Sequence, residues 1–235
     1  MEVNSNTRFL PPTHHHMANL VDTIAGSISK KSRAQKWAQF LAFMTPGPDD
    51  RLIDVGVNTI EYSEADNYLE RHYIYPQNIT AVGIETDFAE FKQRYPEVTT
   101  VTSDGTRLPF EDDAFDIACS NAVIEHVGGH DKQLAFLREL YRVGKRGYIT
   151  TPNRLFPVEV HTRIPLLHIL LSKKGFDRVA TAIGKGWAAG EYMHLLSEQE
   201  LRALAAEAGI EKFELIRNRF CGFPMTFTFI WNRQA

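Results

Sequence analysis

Three short apolar runs each carry an acidic side chain at or near their end: Asp54 in Leu52-Ile53-Asp54-Val55-Gly56, Glu85 closing Val82-Gly83-Ile84-Glu85, and Asp104 after Val101-Thr102-Ser103. Each run is too short and too continuously apolar for an amphipathic helix, and reads as a strand buried on both faces. Further strands are expected at 115–123 and 147–151, with helices at 64–72, 88–95 and 131–143 between them. In the last helix Leu134, Leu137, Leu140 and Tyr141 form the apolar stripe. Strands alternating with helices predict an α/β fold, a mostly parallel sheet covered by helices on both faces. A parallel sheet carries all three acids to its carboxyl edge, where open α/β sheets bind ligands. There, a carboxylate after the second strand can accept from both hydroxyls of a ribose, and one after the third from an adenine amine. One on the first strand can hold a tight turn or meet an ammonium group.

The remaining chain divides around this unit. Residues 1–48 read as a polar arm ending in His14-His15-His16, followed by two helical segments from Ala18 onward. Trp37, Phe40, Leu41 and Met44 make the stripe of the second, which Thr45-Pro46-Gly47-Pro48 ends. Residues 49–235 form the main domain. Within it, residues 154–190 break the strand–helix rhythm with Pro, Gly and apolar side chains, as an insertion covering the sheet edge would. Ser197-Glu198-Gln199-Glu200 is a capping box that starts a helix, Gly209 ends it, and 213–220 with 226–231 form a terminal β-hairpin.

Composition removes several function classes. Twenty-six Lys and Arg against 29 Asp and Glu leave a net charge of −3, with no basic face for a nucleic acid backbone. Cys119 and Cys221 match no metal spacing, and no metal is expected. The N-terminus lacks the pattern of a secretory signal, and the apolar stretches 164–171 and 220–231 fall short of the ~20 residues a membrane span needs. The expected setting is cytoplasmic. A nicotinamide dehydrogenase is disfavoured because Gly-x-Gly-x-x-Gly is absent.

Ser103-Asp104-Gly105-Thr106-Arg107-Leu108-Pro109-Phe110-Glu111-Asp112-Asp113-Ala114-Phe115-Asp116 is the most distinctive stretch, followed by Ser120-Asn121-Ala122-Val123-Ile124-Glu125-His126-Val127. With Arg142-Val143 and Tyr148-Ile149-Thr150-Thr151-Pro152-Asn153, they resemble the class I S-adenosylmethionine-dependent methyltransferases of the small bacterial type 11. The resemblance implies a Rossmann-like seven-stranded sheet with an antiparallel C-terminal strand, and S-adenosyl-L-methionine as cofactor. Its binding residues would be Asp54, Val55, Gly56, Asn58, Glu85, Thr86, Asp104, Gly105 and Asn121, and Asn67, in the polar run 61–67 after the altered turn, is a further candidate for the ligand contacts. One departure stands out. The family's Gly-x-Gly-x-Gly turn reads Gly56-Val57-Asn58-Thr59-Ile60 here. Asn tolerates a left-handed backbone best among residues with a side chain, so Asn58 is expected to preserve the turn.

Methyl transfer by in-line displacement needs alignment, exclusion of water and, for an oxygen acceptor, a base. Glu159 and His161, close after the fifth strand, and His126 are the catalytic candidates, with Tyr192 bordering the insertion. The expected partner is a small-molecule acceptor methylated on oxygen or nitrogen, with neither nucleic acid nor membrane; residues 166–171 could equally support a homodimer contact. The alternatives are a catalytically silent binding or assembly protein of the same fold and, behind it, a nucleic acid methyltransferase.

Overall fold

The computed structural model describes residues 20–157, 171, 173–182 and 193–234. Seven strands make one sheet in the order β3-β2-β1-β4-β5-β7-β6: β1 Leu52–Val55, β2 Ile79–Gly83, β3 Thr99–Thr102, β4 Phe115–Asn121, β5 Gly144–Pro152, β6 Glu214–Phe220 and β7 Phe223–Asn232. The first five pair in parallel, whereas β7 runs antiparallel to both of its neighbours, as expected from the hairpin. Strand order reverses at β1, so the connections leaving the paired strands β1 and β4 run toward opposite edges and leave a crevice at their carboxyl ends.

Neighbouring side chains along each strand enter opposite cores, as the period of two requires. Ile53, Ala118, Ile149 and Phe229 pack with α4 (His130–Val143) and α6 (Glu198–Glu207). Leu52, Ile117, Tyr148 and Ile230 pack with Phe40 and Met44 of α1 (Leu20–Met44) and with Phe91 of α3 (Ala89–Arg94). Both layers are thus closed by helices, which a buried parallel sheet needs.

Several elements differ from the sequence expectation. The two N-terminal segments are one continuous helix, α1, and Leu41 is 42% exposed while Phe40 and Met44 are buried. The covered stripe is therefore the narrower i, i+4, i+8 row of Lys36, Phe40 and Met44. The expected helix at 64–72 shrinks to α2, Tyr68–His72, because Asp66 accepts from the amides of Tyr62 and Ser63 and holds 62–66 as a turn. The hairpin turns on two residues, Cys221 at φ 48° and Gly222 at φ 85°, the paired positive values that match strand twist. Ser197 forms the expected capping box with Glu200. Of the insertion at 154–190, residues 173–182 form α5, Lys173–Ala182; residues 158–170, 172 and 183–190 lie outside the described residues. Among the described residues no helix is long and apolar enough to cross a membrane.

Candidate active site

At the carboxyl ends of β1, β4 and β5 lies a cavity of about 400 Å³, and α1 forms its roof. The floor carries Asp54 and Gly56 from β1, Asn121 and Ala122 from the end of β4, and Thr150 from β5; Arg33, Lys36, Trp37 and Phe40 of α1 face it. Polar ties fix the roof. The Tyr148 hydroxyl donates to the Lys36 carbonyl at 2.7 Å, Gln39 donates to Asn218 at 2.8 Å, and Arg146 donates to the Met44 carbonyl at 2.6 Å. Trp37 stacks on Phe40 with centroids 5.2 Å apart and meets the edge of Tyr68 at 6.2 Å, joining α1 to α2.

The loop after β1 keeps its shape by a different route from the one expected. Asn58 does not have a positive φ; Gly56 (φ 99°) and Asn67 (φ 44°) do. A Cβ on Gly56 would lie 2.3 Å from a methyl of Val123, so only glycine fits where the loop passes the segment after β4. Asn67 then clasps Asn58 at both backbone atoms, accepting from its amide at 2.9 Å and donating to its carbonyl at 2.8 Å. The missing glycines are replaced by a side-chain clamp. Glu61 anchors the clamp from outside, accepting from Asn67, Arg71, Arg94 and Tyr95. Burial alone would raise its carboxyl, but bonds from Tyr95, Asn67 and Arg94 hold it below the ordinary glutamate value.

Asp54 has an unusual neighbour. Glu70 on α2 is 4% exposed, and neither of its carboxyl oxygens has a donor among the described residues. Two neighbouring buried carboxyls repel when both are ionised, so the pair favours a state in which Glu70 keeps its proton beside Asp54. Burial, then the Asp54 charge, pushes the Glu70 carboxyl well up. Burial also pushes Asp54 up to about 6, against the pull of Arg33.

Both carboxyls are raised in the folded state, so the native state holds extra protons; the Asp54 share of stability is lost as pH rises from about 4 through about 6. Asp54→Asn keeps an acceptor for Glu70 and removes the charge. We expect it to be more stable than the parent at about pH 8, by up to about 3 kcal/mol, with the gain fading toward pH 4. Thermal melts across that range check this; a gain independent of pH would contradict the shared-proton arrangement.

The other expected residues divide between cavity, rim and scaffold. Asn58, Asn67 and His126 line the cavity with Asp54, Gly56 and Asn121. Asn121 accepts from the Thr150 hydroxyl at 2.6 Å, which orients its amide. Glu85 and Thr86 follow β2 and are exposed on the rim, as is Asp104 after β3. Asp104 commits one oxygen to the amide and hydroxyl of Thr106 and leaves the other outward. Val55 is scaffold: its side chain is in the core and its carbonyl accepts from Ser120. Gly105 is required by packing, since a Cβ there would lie 2.6 Å from Phe136. Glu159, His161 and Tyr192 lie outside the described residues.

Sequence reasoning missed Arg33, Lys36 and Glu70. The signal for the first two was present. Both are cations on the apolar row of α1, where a charge has no structural reason to sit. Glu70 carried no such signal, because its burial depends on where α2 lands.

Comparison with known proteins places residues 53–150 in a match to the methyltransferase domain family. A curated relative, demethylmenaquinone methyltransferase of Streptomyces griseus, is 26% identical over 141 residues, 57% of each chain. The chain thus spans little more than half the length of that relative. Among solved structures, an S-adenosylmethionine-dependent methyltransferase from Mesorhizobium loti superposes with TM-score 0.55 at 13% identity, over 83% of this chain and 96% of that one. One from Methanosarcina mazei gives 0.50 at 17% identity, over 79% and 92%. These likenesses establish the shared fold.

Proposed function

We propose, from the premise that residues 53–150 form a class I methyltransferase domain, that this chain methylates a small-molecule acceptor using S-adenosylmethionine. The observation that carries the reading is one continuous edge: exposed Glu85 and Asp104 on the rim, leading past Asp54 into a cavity roofed by aromatic side chains. The residues suit the cofactor chemically. Glu85 offers two acceptor oxygens to vicinal hydroxyls, and the outward oxygen of Asp104 suits an exocyclic amine. The cavity carries both signs of charge in Asp54 and Arg33, as the ammonium and carboxylate of an amino-acid end require.

When bound, the cofactor supplies an electrophilic methyl on a sulfonium. The protein's part is then placement and exclusion of water. Trp37, Phe40 and Tyr148 give the cavity an apolar wall, and Asn121 and Thr150 give it a fixed polar point. A 400 Å³ space is of the size that takes small organic ligands. The net charge of −3 favours the same choice. Acceptor oxygen or nitrogen fits these surroundings.

One observation supports a second reading, a silent member of the fold. The amides of Gly56 and Val57 both donate to the Val82 carbonyl, so the turn presents fewer free donors than an open glycine loop would. Tritium transfer from methyl-labelled S-adenosylmethionine to a panel of phenols, carboxylates and amines separates the two. Labelled product supports the enzyme. Cofactor binding with no transfer to any class would favour the silent protein.

A further inference from the structure

Lys36 is the residue at this site that fold and packing do not explain. It sits on the buried row of α1 between Arg33 and Phe40, is 9% exposed, and lines the cavity. Its carbonyl is held by Tyr148, but its ammonium nitrogen has no hydrogen bond or ion pair among the described residues. An unpaired ammonium on a side chain this largely covered is costly, and Arg33 one turn away adds like-charge repulsion. A structural lysine would be expected to reach a carboxylate or to extend to solvent.

We propose that Lys36 is the general base of the reaction, its neutral amine taking the proton from the acceptor hydroxyl or amine as the methyl group arrives. The proposal rests on the methyl-transfer reading above. The balance is simple. The acceptor–carbon bond forms, the carbon–sulfur bond breaks with its electron pair left on sulfur, and the acceptor proton moves to Nζ of Lys36. One positive charge disappears from the sulfonium and one appears on the ammonium, so the cavity's net charge does not change during the step. That matters in a poorly solvated space, where creating a net charge is expensive.

The surroundings favour an amine that starts neutral and can become charged. Burial first, then Arg33, lowers its proton affinity to a pKa of about 7, while Glu125 acts in the opposite sense. Glu125 lies beyond β4, has no exposed surface, and satisfies only one carboxylate oxygen, with the Thr151 hydroxyl. It can therefore stabilise the ammonium once formed. Asp54, with its proton-sharing partner Glu70, and Asp66 lie on the side of Arg33 and offset that cation. Tyr68, His126, Tyr148 and Cys119 complete the titratable groups around the cavity.

Nuclear magnetic resonance of the full chain, labelled with carbon-13 at lysine Cε, tests this directly. Lys36→Arg assigns the signal by its loss. We expect that signal to titrate with a midpoint near 7 in the free protein, against about 10.4 for an ordinary lysine. With S-adenosylmethionine bound the midpoint should fall further, and with S-adenosylhomocysteine it should not, because only the first brings a sulfonium charge beside the amine. An ordinary midpoint in the free protein, or the same midpoint with both ligands, would overturn the assignment while leaving methyl transfer intact. If neither ligand perturbs any cavity signal, the methyl-transfer reading fails and this proposal with it.

Discussion

Glu85→Ala should bind S-adenosylhomocysteine about a hundredfold to ten-thousandfold more weakly than the parent. The side chain is exposed after β2 and supports no packing, so its removal leaves the fold intact. The backbone around it is fixed independently: its carbonyl accepts from the Thr102 hydroxyl at 3.0 Å, and the Ser103 amide donates to Gly83 at 3.0 Å. What is lost is a two-point acceptor. Each charge-assisted bond contributes roughly 1.5–3 kcal/mol, so two give about 3–6 kcal/mol. Glu85→Gln keeps one acceptor oxygen and should fall between the two. Equal affinity in parent and Ala variant, with unchanged melting temperature, would place the ribose elsewhere.

Trp231→Ala should lower unfolding free energy by about 3–5 kcal/mol, enough to remove much of the stability of a typical domain. The indole is 1% exposed and donates to the Gly144 carbonyl at 3.2 Å. It lies flat over Gly147, where an added Cβ would come within 2.1 Å of the ring. Tyr141 and Phe229 pack around it at 5.7 and 6.0 Å. Besides its backbone pairing with β5, the last long strand is thereby keyed to that strand by one side chain fitted over one glycine. Denaturant unfolding measures the effect. A loss below about 1 kcal/mol would mean that the neighbouring rings collapse into the space.

Most of the fold was legible because its signals are local. Runs such as 79–84 are short and nearly continuously apolar, and Ser197 to Glu200 writes its own helix start. The acids at 54, 85 and 104 were legible for the same reason: a strand end is a sequence feature, and parallel pairing brings such ends together. The rest depends on packing geometry. Leu41 belongs to an i, i+4 stripe, but the face of α1 that packs on the sheet leaves it exposed and covers Lys36. Asn58 looked like the glycine substitute because it stands where a glycine would. The clamp from Asn67 comes from nine positions away, through a turn that only Asp66 reveals. Glu70 belongs to the same class: no pattern near it announces a carboxyl pair.

The most direct measurement of the central claim is calorimetric titration of the full chain with S-adenosylhomocysteine, run beside Glu85→Ala. One molecule bound per chain, with affinity collapsing in the variant, is the expected result. No binding to the parent, or binding that the variant leaves unchanged, would contradict it.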